Sequence, residues 1–139
     1  MNIDRLYELY VKNPSVQTDT RKLRKGDIFF ALKGPNFDGN TFVEKALNAG
    51  AVYAVTDEPP QTNDERIIRV DNSLLCLQQL AAYHRKQFNI PFIAITGSNG
   101  KTTTKELVHA VLSSHFVTYT TEGNLNNHIG VPLTILKIK

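Results

Sequence analysis

The residues with the clearest capacity for chemistry lie in one short run, ITGSNGKTTTKEL, at residues 95–107. Gly97 and Gly100 allow the backbone to bend and to approach an anion closely, and Lys101 follows directly. A buried strand is predicted before the loop and a helix after it. In that context backbone N–H groups and a helix N-terminus can face a phosphate. The run therefore predicts a nucleotide-phosphate loop.

The loop is shorter than the common G-x-x-x-x-G-K-[ST] pattern, in which the first glycine lies five positions before the second. Ile95 stands at that place here, and the nearest upstream glycine is Gly97. The alternative interpretation is structural: Ser98 or Asn99 caps the helix, and the glycines form a turn. A G-x-G-x-x-G fingerprint is absent here, which disfavours a nicotinamide or flavin cofactor.

Each polar residue of the loop has a predicted role. Lys101 can reach the β- and γ-phosphates, Thr102 can offer its hydroxyl to Mg²⁺, and Thr103 can add a further donor. A helix terminus carries only about half a positive charge, so Lys101 and a divalent metal are needed to neutralise a triphosphate. The predicted cofactor-binding residues are Gly97, Ser98, Asn99, Gly100, Lys101, Thr102 and Thr103, with Thr102 also as the metal ligand.

The elements that must position this loop form an α/β pattern. Before residue 88 the order is strand, helix, strand, strand, helix. The corresponding runs are IFFAL (28–32), TFVEKALNAGA (41–51), AVYAVTD (51–57), RIIRVDN (66–72) and SLLCLQQLAAYHRKQF (73–88). We predict a complete small α/β domain over residues 1–88.

Residues 89–139 are predicted to begin a second, parallel-sheet domain that contains the phosphate loop. Asn89, Ile90 and Pro91 break the preceding helix and form a candidate linker. The predicted elements are a central strand FIAIT (92–96), a helix KTTTKELVHAVLSSH (101–115) with Leu107, Val108 and Val111 facing inward, and a strand FVTYT (116–120).

Composition limits the class of protein. The net charge is +3 with scattered basic residues, which argues against a nucleic-acid binder. The chain has one cysteine, Cys76, predicted to be a buried helical thiol, and no Cys/His cluster with metal-ligand spacing. His84, His109 and His115 are predicted to face solvent. The N-terminus lacks a signal peptide, and no run is long enough to span a membrane, so a cytoplasmic protein is expected.

Three motifs in order resemble the Mur ligases, which join amino acids or peptides to a UDP-sugar precursor of peptidoglycan. The run T-G-S-N-G-K-T-T resembles their shortened phosphate loop, which explains the missing first glycine. Asp19-Thr20-Arg21, followed by Gly34 and Asp38-Gly39, is similar to their uridine-binding domain. TEGNLNNHIGVPLTIL (121–136) resembles the members that add a terminal D-alanyl-D-alanine.

The resemblance implies ATP-dependent amide formation. The carboxylate of a UDP-N-acetylmuramoyl-tripeptide is phosphorylated by ATP, and the amine of D-alanyl-D-alanine attacks the acyl phosphate. Lys101 and Thr102 are then the catalytic residues, with ATP and Mg²⁺ as cofactors. Candidate substrate-binding residues are Thr20, Arg21, Asn36, Phe37, Asn124, Asn126 and Asn127.

Structural alternatives accompany these assignments. Arg21 either meets a pyrophosphate oxygen or forms an exposed ion pair, and the asparagines are either ligands or turn residues. Asp38 and Gly39 are expected to form a turn rather than bind substrate.

The chain is expected to be an inactive fragment of a three-domain ligase. Two strands with one or two helices would leave apolar faces of the second domain uncovered, so self-association is conceivable. Two other functions stay open: a ligase that adds the third residue of the stem peptide, and a stand-alone nucleotide- or UDP-sugar-binding module completed by self-association.

Overall fold

The first part of the chain is a four-stranded parallel sheet with helices on both faces. The computed structural model describes residues 2–123 and 125–139. Strands β1 (Val16–Gln17), β2 (Ile28–Phe30), β5 (Tyr53–Thr56) and β6 (Ile67–Arg69) lie side by side in this order, and all are parallel. This confirms the predicted α/β fold class. The sequence pattern missed β1, because two half-buried residues give no apolar run.

Alternate residues of β2 build two separate cores, because successive side chains of a strand point to opposite faces. Ile28 and Phe30 pack against helices α1 (Ile3–Lys12) and α3 (Ser73–Arg85). Phe29 packs on the other face. Helix α2 (Val43–Asn48) covers that face with Val43, Ala46 and Leu47.

Two short strands form a hairpin beyond the end of β2. Strand β3 (Lys33–Gly34) pairs antiparallel with β4 (Phe37–Asp38), and a 3₁₀ turn (Gly39–Phe42) leads into α2. A side chain at Gly39 would approach the carbonyl oxygen of Leu32 to 2.6 Å, so this position requires glycine. Asp38 accepts a hydrogen bond from the backbone N–H of Asn40 at 2.9 Å. Asp38 and Gly39 therefore form a turn, as expected.

The region after residue 88 contains helices α4 (Lys101–Leu112) and α5 (Gly130–Ile135). The predicted strands at 92–96 and 116–120 are absent from the described residues, because a strand requires a hydrogen-bonding neighbour and neither run has one. The expectation that Leu107 and Val111 face inward is also wrong, since their exposed fractions are 63% and 71%. Helix α4 has no buried residue in the structure, and only Val108 of the three is partly buried.

Helix α5 packs on the first unit rather than on α4. Leu136 belongs to the core formed by α1, α3 and the sheet. The hydroxyl of Tyr10 donates to the carbonyl oxygen of Leu136 at 2.5 Å, and His84 Nε2 lies 3.0 Å from the carbonyl oxygen of Ile138. These contacts attach the end of the chain to the unit that contains its beginning.

His84 is buried, so the prediction that it faces solvent is wrong. It follows Leu77 by seven residues and Leu80 by four, which places it on the apolar face of α3. Its ring lies between aromatic neighbours, and its Nδ1 is 3.1 Å from the hydroxyl of Tyr7. Burial, with a smaller contribution from Tyr7, raises the pKa of Tyr10 to about 12. Cys76 is buried as predicted, and its burial raises the pKa of its thiol to about 11.

Of the other two histidines that were predicted to face solvent, His115 is exposed as expected. His109 is partly buried, and its Nδ1 lies 3.0 Å from Thr118 Oγ1. No helix among the described residues is long and apolar enough to cross a bilayer.

Candidate functional site

The phosphate loop has the backbone geometry that its glycines predict. Gly97 has φ of +150° and Gly100 has φ of +75°, values that favour glycine. Gly100 is the N-cap residue of α4, and a glycine has no side chain with which to cap the helix. The N-cap position is therefore held by Gly100 and not by Ser98 or Asn99.

Lys101 folds back over this loop. Its Nζ donates to the carbonyl oxygen of Gly97 at 2.6 Å and lies 3.5 Å from that of Ser98. The ammonium group is thus held above the N-terminus of α4, where the helix dipole also favours a negative charge. Backbone N–H groups of the first turn and one lysine converge, which suits a phosphate group.

Thr102, the predicted metal ligand, lies in the first turn of α4 directly after Lys101. Across residues 2–123 and 125–139, no group of three or more His, Cys, Asp or Glu side chains is placed to hold a metal. A magnesium ion keeps several waters and is commonly held by one or two protein groups together with substrate phosphates. A hydroxyl oxygen such as that of Thr102 is a donor type that fits such an ion.

The asparagine-rich segment 121–128 is attached to the phosphate-loop helix. Lys105 Nζ donates to the carbonyl oxygens of Thr121 at 2.6 Å and Gly123 at 3.3 Å. Asn126 is exposed. Asn127 Oδ1 accepts from the backbone N–H groups of Ile129 at 3.1 Å and Gly130 at 2.8 Å, so it orders the start of α5. Asn124, also predicted to bind substrate, lies outside the described residues.

The predicted substrate residues of the first unit lie at the carboxyl end of its sheet, where open α/β sheets bind ligands. Thr20 and Arg21 occupy the centre of a turn after β1, closed by a bond from the N–H of Lys22 to the carbonyl oxygen of Asp19 at 3.0 Å. Asn36 and Phe37 lie at the exposed tip of the hairpin after β2. The structure does not join these two pairs by any described contact.

Arg21 forms an ion pair with Asp19. Its Nε donates to Oδ1 at 2.9 Å and its Nη2 to Oδ2 at 2.7 Å. Hydrogen bonds from the Arg21 side chain, then from its backbone, lower the pKa of Asp19 to about 2. The Arg21 side chain remains 87% exposed, so the ion-pair alternative is realised while the outer face of the guanidinium stays accessible.

A polar network that sequence reasoning missed supports the hairpin. The Asn40 amide donates to Asp57 Oδ1 at 3.0 Å and accepts from Thr56 Oγ1 at 2.7 Å. Asp57 Oδ2 also accepts from the backbone N–H of Ser73 at 3.0 Å. The network joins the 3₁₀ turn, the end of β5 and the start of α3. The residues around Asn40 in the sequence do not predict these partners, because Asp57 and Thr56 are distant in the chain.

Glu122 connects segment 121–123 to the last residues of the chain. It forms an ion pair with Lys137, and the hydrogen bond from Lys137 is the main cause that lowers the pKa of Glu122. Lys105 and Lys137 thus hold segment 121–123 from two sides of the sequence, the first from α4 and the second from the residues after α5.

Comparison with known proteins relates both parts of the chain to one family. The family described as "Mur ligase family, catalytic domain" matches residues 14–85, and the "Mur ligase middle domain" matches residues 95–139. A UDP-N-acetylmuramoyl-tripeptide–D-alanyl-D-alanine ligase of Synechocystis is 48% identical, with 89% of this chain and 28% of the relative covered. The Bacillus subtilis ligase of the same name is 47% identical, with 87% and 27% covered.

Solved structures agree with these sequence relatives. MurF from Acinetobacter baumannii is 41% identical with a TM-score of 0.81, over 90% of this chain and 28% of that one. MurF from Thermotoga maritima, in complex with ADP, is 35% identical with a TM-score of 0.80, over 89% and 29%. The chain thus spans between a quarter and a third of the length of these relatives.

Proposed function

Since the chain belongs to the Mur ligase family, we propose that it supplies the UDP-sugar-binding unit and the phosphate loop of an ATP-dependent ligase. The proposed reaction joins D-alanyl-D-alanine to UDP-N-acetylmuramoyl-tripeptide through an acyl phosphate. The observation that carries the proposal is the phosphate-loop geometry, in which Gly97 and Gly100 have positive φ and the Lys101 ammonium group lies over the loop. The names of the relatives and the ADP complex of the T. maritima neighbour support it.

The residues have separate tasks in this proposal. Lys101 and the first turn of α4 would bind the β- and γ-phosphates, and Thr102 would offer its hydroxyl to Mg²⁺. ATP would supply the phosphoryl group, and bound Mg²⁺ would supply positive charge against the repulsion between the triphosphate and the tripeptide carboxylate. Lys101 reduces the same repulsion from the protein side. We further propose a domain division near residue 88, the phosphate loop lying in the second domain.

The first unit has the task of holding the UDP-sugar. Thr20 and Arg21 lie in a turn at the carboxyl edge of the sheet, and the exposed guanidinium of Arg21 suits a pyrophosphate oxygen. The hairpin tip with Asn36 and Phe37 offers an amide and an aromatic ring to uracil or ribose. The amide groups of Asn126 and Asn127 would hold sugar, amide or phosphate oxygens without adding charge.

Calorimetry on the chain tests these assignments separately. UDP-N-acetylmuramoyl-tripeptide is expected to bind the wild type, and Thr20→Ala is expected to weaken binding at least fivefold. The exposed Thr62→Ala serves as a matched control and should bind within twofold of the wild type. Equal affinity of Thr20→Ala and the control would remove Thr20 from the site.

The nucleotide assignment is tested with MgADP. Lys101→Met should weaken its affinity at least tenfold, because the variant keeps the stem of the side chain but loses the ammonium group. Lys12→Met, a substitution at the exposed end of α1, is the control. Binding of MgADP that is indifferent to Lys101→Met would overturn the phosphate-loop assignment.

A further inference from the structure

The ammonium group of Lys105 has its hydrogen-bond acceptors within the protein. Its side chain is only 15% exposed. Its Nζ lies 2.6 Å from the carbonyl oxygen of Thr121, 3.3 Å from that of Gly123 and 2.8 Å from Glu106 Oε1. An ammonium group has three donors, and these three acceptors match that number.

Two of the three acceptors are main-chain carbonyls of one segment. Lys105 thus fixes the path of the backbone at 121–123, and Glu106 balances its charge. Gly123 has φ of +50°, so the chain turns in the left-handed region at the second point of attachment. The contact orients the start of the asparagine-rich segment 121–128.

The position of Lys105 along α4 indicates the face of the helix to which segment 121–123 is attached. It follows Lys101 by four residues, so the two side chains share one face of the helix. Segment 121–123 therefore crosses the same face that presents Lys101 to the phosphate loop. Asn126 and Asn127 follow within five residues of the attached backbone.

We propose that Lys105 is a positioning residue that clamps segment 121–123 on α4, so that residues 121–123 form a wall beside the phosphate-binding end of the helix. This inference rests on the proposed nucleotide site. Lys105 does not touch the nucleotide itself. It lowers the entropy cost of ordering the segment when phosphate binds.

A second lysine that contacts the same segment provides a matched control. Lys137 forms an ion pair with Glu122, but both side chains are more than half exposed. Exposed pairs of this kind contribute little to order. Removing the ammonium group of Lys137 should therefore leave the segment in place, whereas removing that of Lys105 should release it.

The experiment compares the wild type with Lys105→Met, Lys105→Arg and Lys137→Met by amide hydrogen exchange and by calorimetry with MgADP. Lys105→Met should speed exchange in segment 118–128 at least tenfold and weaken MgADP at least fivefold. Lys105→Arg retains the charge and donors and should recover most of the affinity. Lys137→Met should stay within twofold of the wild type in both measurements.

Two results would overturn the proposal: unchanged exchange in Lys105→Met, or faster exchange with unchanged MgADP affinity. If exchange in Lys105→Met also rises throughout α1 and α3, the fold is lost, and Lys105→Gln then replaces it in the comparison. A wild type that binds no MgADP would refute the proposed nucleotide site. In that case the amide exchange rates alone test whether Lys105 orders segment 121–123.

Discussion

Residues 3–85 form a unit that is stabilised differently from the region at residues 92–120. The first unit has two cores on opposite faces of a parallel sheet, and many of its side chains are fully buried. In the second region, α4 has no buried residue, while Phe116 and Val117 are 66% and 90% exposed. One region is stabilised by packing, and the other mainly by the backbone bonds of one helix.

The difference explains where the candidate site receives its rigidity. A 12-residue helix is marginal by itself, because most helical stability in proteins comes from packing of an apolar face. The segments around α4 are instead attached at a few points, chiefly by Lys105 and by the docking of α5 on α3. The first unit acts as the support on which the phosphate-loop region is placed.

The largest expected effect is the difference in stability loss between two leucine-to-alanine substitutions, one in each region. Leu77→Ala, at a fully buried position, should lower the free energy of unfolding by about 2–5 kcal/mol, because it leaves a cavity in the core. Leu107→Ala, at a position 63% exposed, should change it by no more than about 0.5 kcal/mol. Urea unfolding monitored by circular dichroism measures both. Equal losses would show that the exposed face of α4 is packed in solution.

A smaller effect is expected where the two regions are joined. Tyr10→Phe removes the hydroxyl that donates to Leu136, which should cost about 1–3 kcal/mol because the buried carbonyl loses its partner. Amide exchange at residues 136–138 should accelerate more than exchange in β2 and β5. Tyr119→Phe, at a side chain 43% exposed, is the control. Uniform acceleration across the sheet would mean that Tyr10 supports the first core rather than the junction.

The smallest effect concerns the exposed turn after β1. The pKa of Asp19 is lowered to about 2 by Arg21, so the stabilising ion pair is complete above the ordinary pKa of about 3.9 and is lost as pH falls toward 2. Arg21→Met should raise the Asp19 midpoint toward 3.9 in a carboxyl ¹³C NMR titration. Arg66→Met should instead shift only Asp64, which forms the equivalent pair. An unchanged Asp19 midpoint in Arg21→Met would contradict the pairing.

Several features could be predicted because their signals are local. The apolar run around Phe29 indicates a short buried strand, and β2 is buried at each of its residues. Gly97, Gly100 and Lys101 indicate a phosphate loop, since the required backbone angles and the lysine are encoded within a few residues. The sequence predicts Asp71 or Asn72 as the cap of α3, and Asn72 takes this position in the structure.

Other features could not be read from local patterns. His84 carries a signal in its spacing from Leu77 and Leu80, but its polarity suggested solvent, and its partners Tyr7 and Ile138 are distant in sequence. Residues 92–96 were predicted as a strand, and Leu107 as a core residue. Both predictions required neighbouring elements that are absent from the described residues.

The sequence by itself determined the α/β order, the shortened phosphate loop and the family, because backbone propensities, turn residues and short motifs act within a few positions. Only the tertiary structure decided that the final helix docks on the first unit and that Lys105 holds the segment at 121–123. These contacts join residues that are far apart in the chain, so their partners are selected by packing and by the need to satisfy buried polar groups.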